Sequence, residues 1–174
     1  MFKKVLPTYY LEKLFDLDPN DIKKHGINAI LCDLDNTINP YYSKVPDENA
    51  INFVKKMQSN GIKFYILSNN HEDRVSLFCS KLENVKYSFS TKKPGIKRLN
   101  AFLEKEGLDK DKCLIVGDQL LTDCLMANRI NIKSLLVEPA CSGDLLITKP
   151  NRFFDKRIRA YFRRKNMLKS IKED

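Results

Sequence analysis

The chain has 174 residues, 43% of them hydrophobic and 30% charged, with a formal net charge of +9. That length suits one compact domain able to bury a substantial apolar core, and the composition is that of a soluble globular protein. No stretch approaches the roughly 18 apolar residues of a membrane span, and Met1-Phe2-Lys3-Lys4-Val5-Leu6-Pro7 lacks the apolar core of a signal peptide.

Apolar runs alternate with helical patterns along the chain. Residues 1–24 carry Leu6, Tyr9, Tyr10, Leu11, Leu14, Phe15 and Ile22, and read as an N-terminal helical segment that covers the sheet or faces a membrane. Residues 27–32, bounded by Gly26 and by acids, read as a buried strand. A helix over 47–59 stops at Asn60-Gly61, and residues 62–67 form the next strand. A helix over about 71–83 follows, with Asn70 as candidate N-cap, then a weaker strand over 85–89. Pro94 opens a helix that runs to Glu106 and Gly107. Residues 113–116 and 134–137 supply a fourth and a fifth strand, with a helix over about 121–128 between them.

Strands alternating with helices predict an α/β fold, a parallel sheet of about five strands with helices on both faces. The expected layout is an N-terminal segment 1–24, a core 25–150 and a tail 151–174. The five cysteines, Cys32, Cys79, Cys113, Cys124 and Cys141, are odd in number and dispersed without a CxxC pair. They argue against a disulfide framework or a zinc site and for a reducing, cytoplasmic setting.

In parallel sheets ligands bind at the carboxyl ends of the strands. Four such ends carry chemistry here. Asp33 and Asp35 follow the first strand with one residue between them, so one carboxylate can attack while the other moves a proton. A polar loop of Asx turns is the alternative. Ser68 follows the second strand, where its hydroxyl and the nearby backbone N–H groups either hold a phosphate or cap a helix. Lys93, beside Lys92 and ahead of Pro94, can neutralise phosphate and carboxylate charge, or is a surface lysine. Gly117-Asp118 ends the fourth strand, with Asp123 five residues on; the glycine permits close approach of the backbone, Asp118 can ligate a metal and Asp123 can support the metal's waters or the lysine, or the pair is a turn. Each signal is weak alone. Together they stand in order at successive strand ends.

With motifs DLDNT (33–37), LSNN (67–70), KKP (92–94) and GDQLLTD (117–123), the sequence resembles the haloacid dehalogenase (HAD) superfamily of phosphatases over residues 25–140. The combination is similar to the capless subfamily IIIA, YqeG-type branch, which includes phosphatidylglycerophosphate phosphatases. Leu6-Pro7-Thr8-Tyr9-Tyr10 and Gly26-Ile27 are also similar to that branch. The resemblance implies a Rossmann-like HAD fold and an aspartyl-phosphate on Asp33. Asp35 would protonate the leaving group and then activate water. Ser68 and Lys93 would bind the phosphoryl group, with Thr37 and Asn69 beside them. Asp33, the Asp35 carbonyl and Asp118 would hold Mg²⁺, with Gly117 and Asp123 in support. Mg²⁺ prefers oxygen ligands and screens the approach of a carboxylate to an anionic ester.

About thirty residues separate Thr37 from Ser68, and one loop, one helix and one strand fill them. No independent cap domain fits there, so the site is expected to be open. Open sites suit substrates with a large or immobile end, such as lipids in a bilayer. The positive charge is concentrated in the tail: residues 151–174 hold nine Lys and Arg against three acids, +6 of the +9. The spacing 154/158/161/162 gives an apolar helical face. A basic amphipathic helix of this kind suits peripheral contact with an anionic membrane; the alternative is a helix packed on the domain with its basic face in solvent. Little aromatic interleaving supports nucleic acid as a partner. The expected function is a phosphomonoesterase acting on phosphatidylglycerophosphate at the cytoplasmic membrane surface. Its rivals are the same chemistry on a soluble phosphate ester or a nucleic-acid end, and a non-catalytic binding protein on the same fold.

Overall fold

The computed structural model describes residues 2–141 and 149–173. Six parallel strands form one sheet: β1 (Tyr9–Leu11), β2 (Ala29–Asp33), β3 (Lys63–Leu67), β4 (Lys86–Ser88), β5 (Cys113–Gly117) and β6 (Lys133–Val137), in the order β1-β6-β5-β2-β3-β4. The helices are α1 (Pro19–Lys24), α2 (Glu48–Ser59), α3 (Glu72–Cys79), α4 (Lys97–Lys105), α5 (Leu125–Arg129) and α6 (Lys149–Arg164). This is the Rossmann-like α/β fold expected from the alternation of elements.

The sheet is buried on both faces because the central strands are apolar along most of their length. Along β2, Ile30 and Cys32 join Phe53, Met57, Phe64 and Phe78 on one side, while Ala29 and Leu31 join Leu99, Phe102 and Met126 on the other. Asp47 caps α2 by accepting the Ala50 N–H at 2.8 Å, and Gly61, at φ +79°, turns the chain from its end into β3. Between β2 and β3 the chain holds one loop and α2, and between β3 and β4 only α3, so no cap domain covers the carboxyl ends of these strands.

Three expectations need correction. Residues 1–24 are not helical throughout: beside the 3-10 turns Lys3–Val5 and Leu14–Asp16 and the helix α1, they contribute the sixth strand, β1. Three residues are too few to show a period-2 pattern, and pairing with β6 decides their conformation. Asn70 does not cap α3; the N-cap position is His71, and the Asn70 side chain donates to Asp35 instead. The tail helix presents a different face from 154/158/161/162. Ile158 and Phe162 are buried, but Phe154 is 57% exposed, and the other buried positions among the helix's described side chains are the charged Arg152, Asp155 and Arg159.

The tail is integrated into the domain. The Tyr10 N–H donates to the Lys169 carbonyl at 2.7 Å and the Ile171 N–H to the Tyr10 carbonyl at 3.3 Å, so the chain end covers the β1 edge. Ile158 and Phe162 pack with Val5, Leu120, Cys124 and Leu136. The expected boundary between core and tail borders residues 142–148, which lie outside the described residues. No helix among the described residues is long and apolar enough to cross a membrane.

Candidate active site

Asp33 is the last residue of β2, flanked by Leu67 of β3, and β5 ends alongside at Gly117. Beyond Asp33 the chain turns back on itself. Asn36 has φ +62°, a conformation that asparagine tolerates better than most residues, and its N–H donates to the Asn39 carbonyl at 2.8 Å. That turn sets Thr37 against the strand end, where its hydroxyl reaches Asp33 Oδ2 at 3.0 Å and Asp118 Oδ1 at 3.4 Å.

Lys93, not Lys92, enters this cluster. Lys92 is exposed and Lys93 buried. The ammonium of Lys93 donates to Asp33 Oδ1, to Asp123 Oδ1 at 2.7 Å and to the Leu67 carbonyl at 3.2 Å. The Asn69 side chain holds the Lys93 backbone, accepting the N–H at 2.7 Å and donating to the carbonyl at 3.3 Å. Ser68 is buried directly after β3, its hydroxyl oxygen accepting the Asn70 N–H at 3.1 Å. Asp123 Oδ2 accepts the Gln119 N–H at 3.2 Å, and its side chain lies where a Cβ on Gly117 would stand. Position 117 therefore admits no side chain.

Asp33, Asp118 and Asp123 each offer a carboxylate oxygen within 4.8 Å of the others. This buried trio is an oxygen-donor set suited to a hard divalent cation. Asp35 stands apart from the trio: its carboxylate is held by Arg74 at 3.1 Å and by the Asn70 amide.

The electrostatics follow from burial. Desolvation pushes the Asp33 carboxyl upward against the Lys93 ammonium, and raises Asp118 against Arg152. Burial also works to lower Lys93, but Asp123 and Asp33 outweigh it, so the ammonium is held firmly protonated. Asp35 is raised by burial, with Arg74 opposing. Burial raises both carboxyls, so their division of labour rests on position: Asp33 lies inside the buried cluster, where it can attack, and Asp35 stands apart beside Arg74, where it can exchange protons.

Five further residues of the site escaped the sequence reading. Thr91 donates to the Ser68 carbonyl at 2.6 Å, and Arg74 comes from α3. Arg152, Asp155 and Arg159 come from α6, some thirty residues beyond the last motif. Arg152 donates to the Asp118 carboxylate, Arg159 to the Asp118 carbonyl, and Asp155 Oδ1 accepts the Leu120 N–H at 2.7 Å. Their only signal in the sequence is a spacing of three and four residues, which places them on one helical face with Ile158 and Phe162.

A family model described as HAD-hydrolase-like matches residues 91–144. The chain is 35% identical to the probable phosphatase YqeG of Bacillus subtilis, over 97% of this chain and 98% of that one. Among solved structures, an uncharacterised protein from Listeria monocytogenes superposes with a TM-score of 0.55 at 18% identity, covering 69% of this chain and 85% of that one. The 3-deoxy-D-manno-octulosonate 8-phosphate phosphatase of Moraxella catarrhalis, solved with magnesium and phosphate ions, superposes at 0.52 with 15% identity, over 82% of this chain and 98% of that one. These structures share the fold, and the near-complete alignment with the Bacillus protein carries the family assignment: the chain belongs to the HAD-like hydrolases.

Proposed function

We propose that the chain is a magnesium-dependent phosphomonoesterase that works through an aspartyl-phosphate on Asp33 and dephosphorylates phosphatidylglycerophosphate. The observation that carries the reaction class is the convergence of Asp33, Lys93, Asp118 and Asp123, from three separate strand ends, in one buried cluster. Asp33, Asp118 and the Asp35 carbonyl, with Asp123 in support, would hold Mg²⁺, which would supply positive charge to offset repulsion between carboxylate and phosphate ester.

The chain's own groups do the rest. Asp33 attacks phosphorus, and the bond from phosphorus to the leaving oxygen breaks. Asp35 gives its proton to that oxygen. Lys93, fixed by Asn69 and Asp123, balances the negative charge around the attacking carboxylate. Asp35, now ionised, takes a proton from water as the water attacks the aspartyl-phosphate, which releases inorganic phosphate and restores Asp33. Ser68 and Thr37 border the transferred group.

The lipid substrate rests on the resemblance to the YqeG branch, the uncapped site and the basic tail. Phe153 and Phe154 stand exposed on α6, with the Arg157 guanidinium 4.5 Å from the Phe153 ring centre. Aromatic and cationic groups side by side suit the interface of an anionic bilayer. Deleting residues 151–174 would uncover the β1 edge, so the cleaner membrane variant is Phe153→Ser with Phe154→Ser.

The test is Mg²⁺-dependent phosphate release from phosphatidylglycerophosphate in mixed micelles, beside a soluble aryl phosphate, with Asp33→Asn as control. Release from the lipid that vanishes in the control supports reaction and substrate together. Release from the aryl phosphate alone keeps the Asp33 reaction and removes the lipid. Equal activity in Asp33→Asn removes Asp33 as nucleophile.

A further inference from the structure

Asp118 is fully buried, and its two carboxylate oxygens face different partners. Oδ1 looks toward Thr37, itself bonded to Asp33; Oδ2 accepts from Arg152 of α6. Arg152 also approaches the Asp118 carbonyl at 3.4 Å, and Arg159 donates to that same carbonyl. Asp155 ties the next turn through the Leu120 N–H at 2.7 Å and is itself held by Arg159 Nε at 2.8 Å. One helical face thus grips Asp118 and Leu120 at the end of β5 by side chain, carbonyl and N–H.

We propose that Arg152 is a positioning residue for the cation site: by holding Asp118 Oδ2 it turns Oδ1 toward Asp33, so that α6 sets the metal affinity of a site built from motifs far away in sequence. This rests on the magnesium reading above. The physical case is geometric. An aspartate carboxylate has a soft torsion about its last bond. A guanidinium fork that reaches both the carboxylate and the carbonyl of one residue removes that freedom. Carboxylates that ligate metals are commonly held in this way by a hydrogen bond to their second oxygen, and loss of such a partner typically weakens metal binding about 10–100-fold. Arg152 also brings positive charge near the cation, which opposes binding, so the proposal requires orientation to outweigh repulsion.

The experiment is calorimetric Mg²⁺ titration, without substrate, of the unsubstituted protein and of Arg152→Gln, Arg152→Lys, Lys156→Gln and Ile158→Ala. Lys156 is exposed on the same helix and controls for charge; Ile158 is buried there and controls for loosened packing. The expected result is Mg²⁺ binding by the unsubstituted protein, weakened about 10–100-fold in Arg152→Gln and by less in Arg152→Lys. Lys156→Gln and Ile158→Ala should keep the parent dissociation constant, although Ile158→Ala melts lower. Unchanged or tighter binding in Arg152→Gln overturns the proposal, tighter binding meaning that the arginine competes with the metal. An equal loss in Ile158→Ala overturns it too, because packing alone then explains the effect. No Mg²⁺ binding by the unsubstituted protein overturns the magnesium reading, and this proposal with it.

Discussion

Arg74 Nη2 donates to Asp35 Oδ1 at 3.1 Å, and its other nitrogen Nη1 donates to the Lys44 carbonyl at 3.2 Å. The arginine therefore joins the proposed acid–base carboxylate to the loop that follows it. Burial raises the Asp35 carboxyl and Arg74 opposes the rise. Arg74→Gln should let Asp35 move further up, so that its ionised form, needed to activate water, is reached only at higher pH. We expect the acid limb of the kcat–pH profile to shift upward, with kcat at neutral pH lower by roughly tenfold or more, within the range that general acid–base groups contribute. A profile that superimposes on the parent would show that Arg74 serves the loop and not the reaction.

Lys93 has two carboxylate partners, and all three side chains are largely buried. Lys93→Met keeps much of its bulk and removes its charge, leaving Asp33 and Asp123 close together without compensation. Removing one partner of a buried ion pair costs about 3–5 kcal/mol. Thermal denaturation of the metal-free variant should show a melting point lower by roughly 10 °C, and added Mg²⁺ should raise it more than in the parent. A metal-free melting point equal to the parent's would mean that the ion pairs contribute nothing net.

The raised Asp33 and Asp118 carboxyls make stability depend on pH in a definite direction. A group with a higher pKa in the folded state than in the unfolded one holds its proton more tightly when folded. Its contribution is complete below the unfolded value, about 4, and is lost as pH climbs through the folded value. The metal-free protein should therefore lose stability as pH rises from about 4 toward neutrality. Mg²⁺ must displace these same protons, so the increase in melting point it brings should grow over that interval. Melting curves from pH 5 to pH 8, with and without Mg²⁺, check both statements; an increase that shrinks with pH contradicts them.

Phe162 is fully buried while Phe154 is largely exposed, although simple counting puts both on one apolar face. Phe162→Ala should cost about 3–5 kcal/mol by chemical denaturation, and Phe154→Ala within about 0.5 kcal/mol. Comparable losses at the two positions would restore the face drawn from the sequence.

Much of this molecule was legible in its residues. The four apolar runs that became β2, β3, β5 and β6 lie within two residues of their expected places, because strands buried on both faces are written as continuous apolar sequence. Each motif follows its strand, so Asp33, Lys93, Gly117, Asp118 and Asp123 could be named before their distances were known. The fold supplies the reason that Lys93 and not its neighbour Lys92 serves: Asn69 anchors the Lys93 backbone, and of the two side chains only that of Lys93 is buried.

What the sequence determined by itself was the order of elements, the strand ends that carry chemistry and the absence of room for a cap between β2 and β3. These are local properties, fixed by apolar pattern, turn residues and spacing. The tertiary structure alone decided that Tyr9–Leu11 is a strand, that the chain end closes its edge, and that Arg152, Asp155 and Arg159 face inward against Asp118 and Leu120. Hydrophobic periodicity assigns charged residues to solvent, and it does so because a lone charge is costly to bury. Arg152 and Arg159 overturn that assignment by meeting oppositely charged partners more than twenty residues away, a pairing that exists only once β5, β6 and α6 have been brought together.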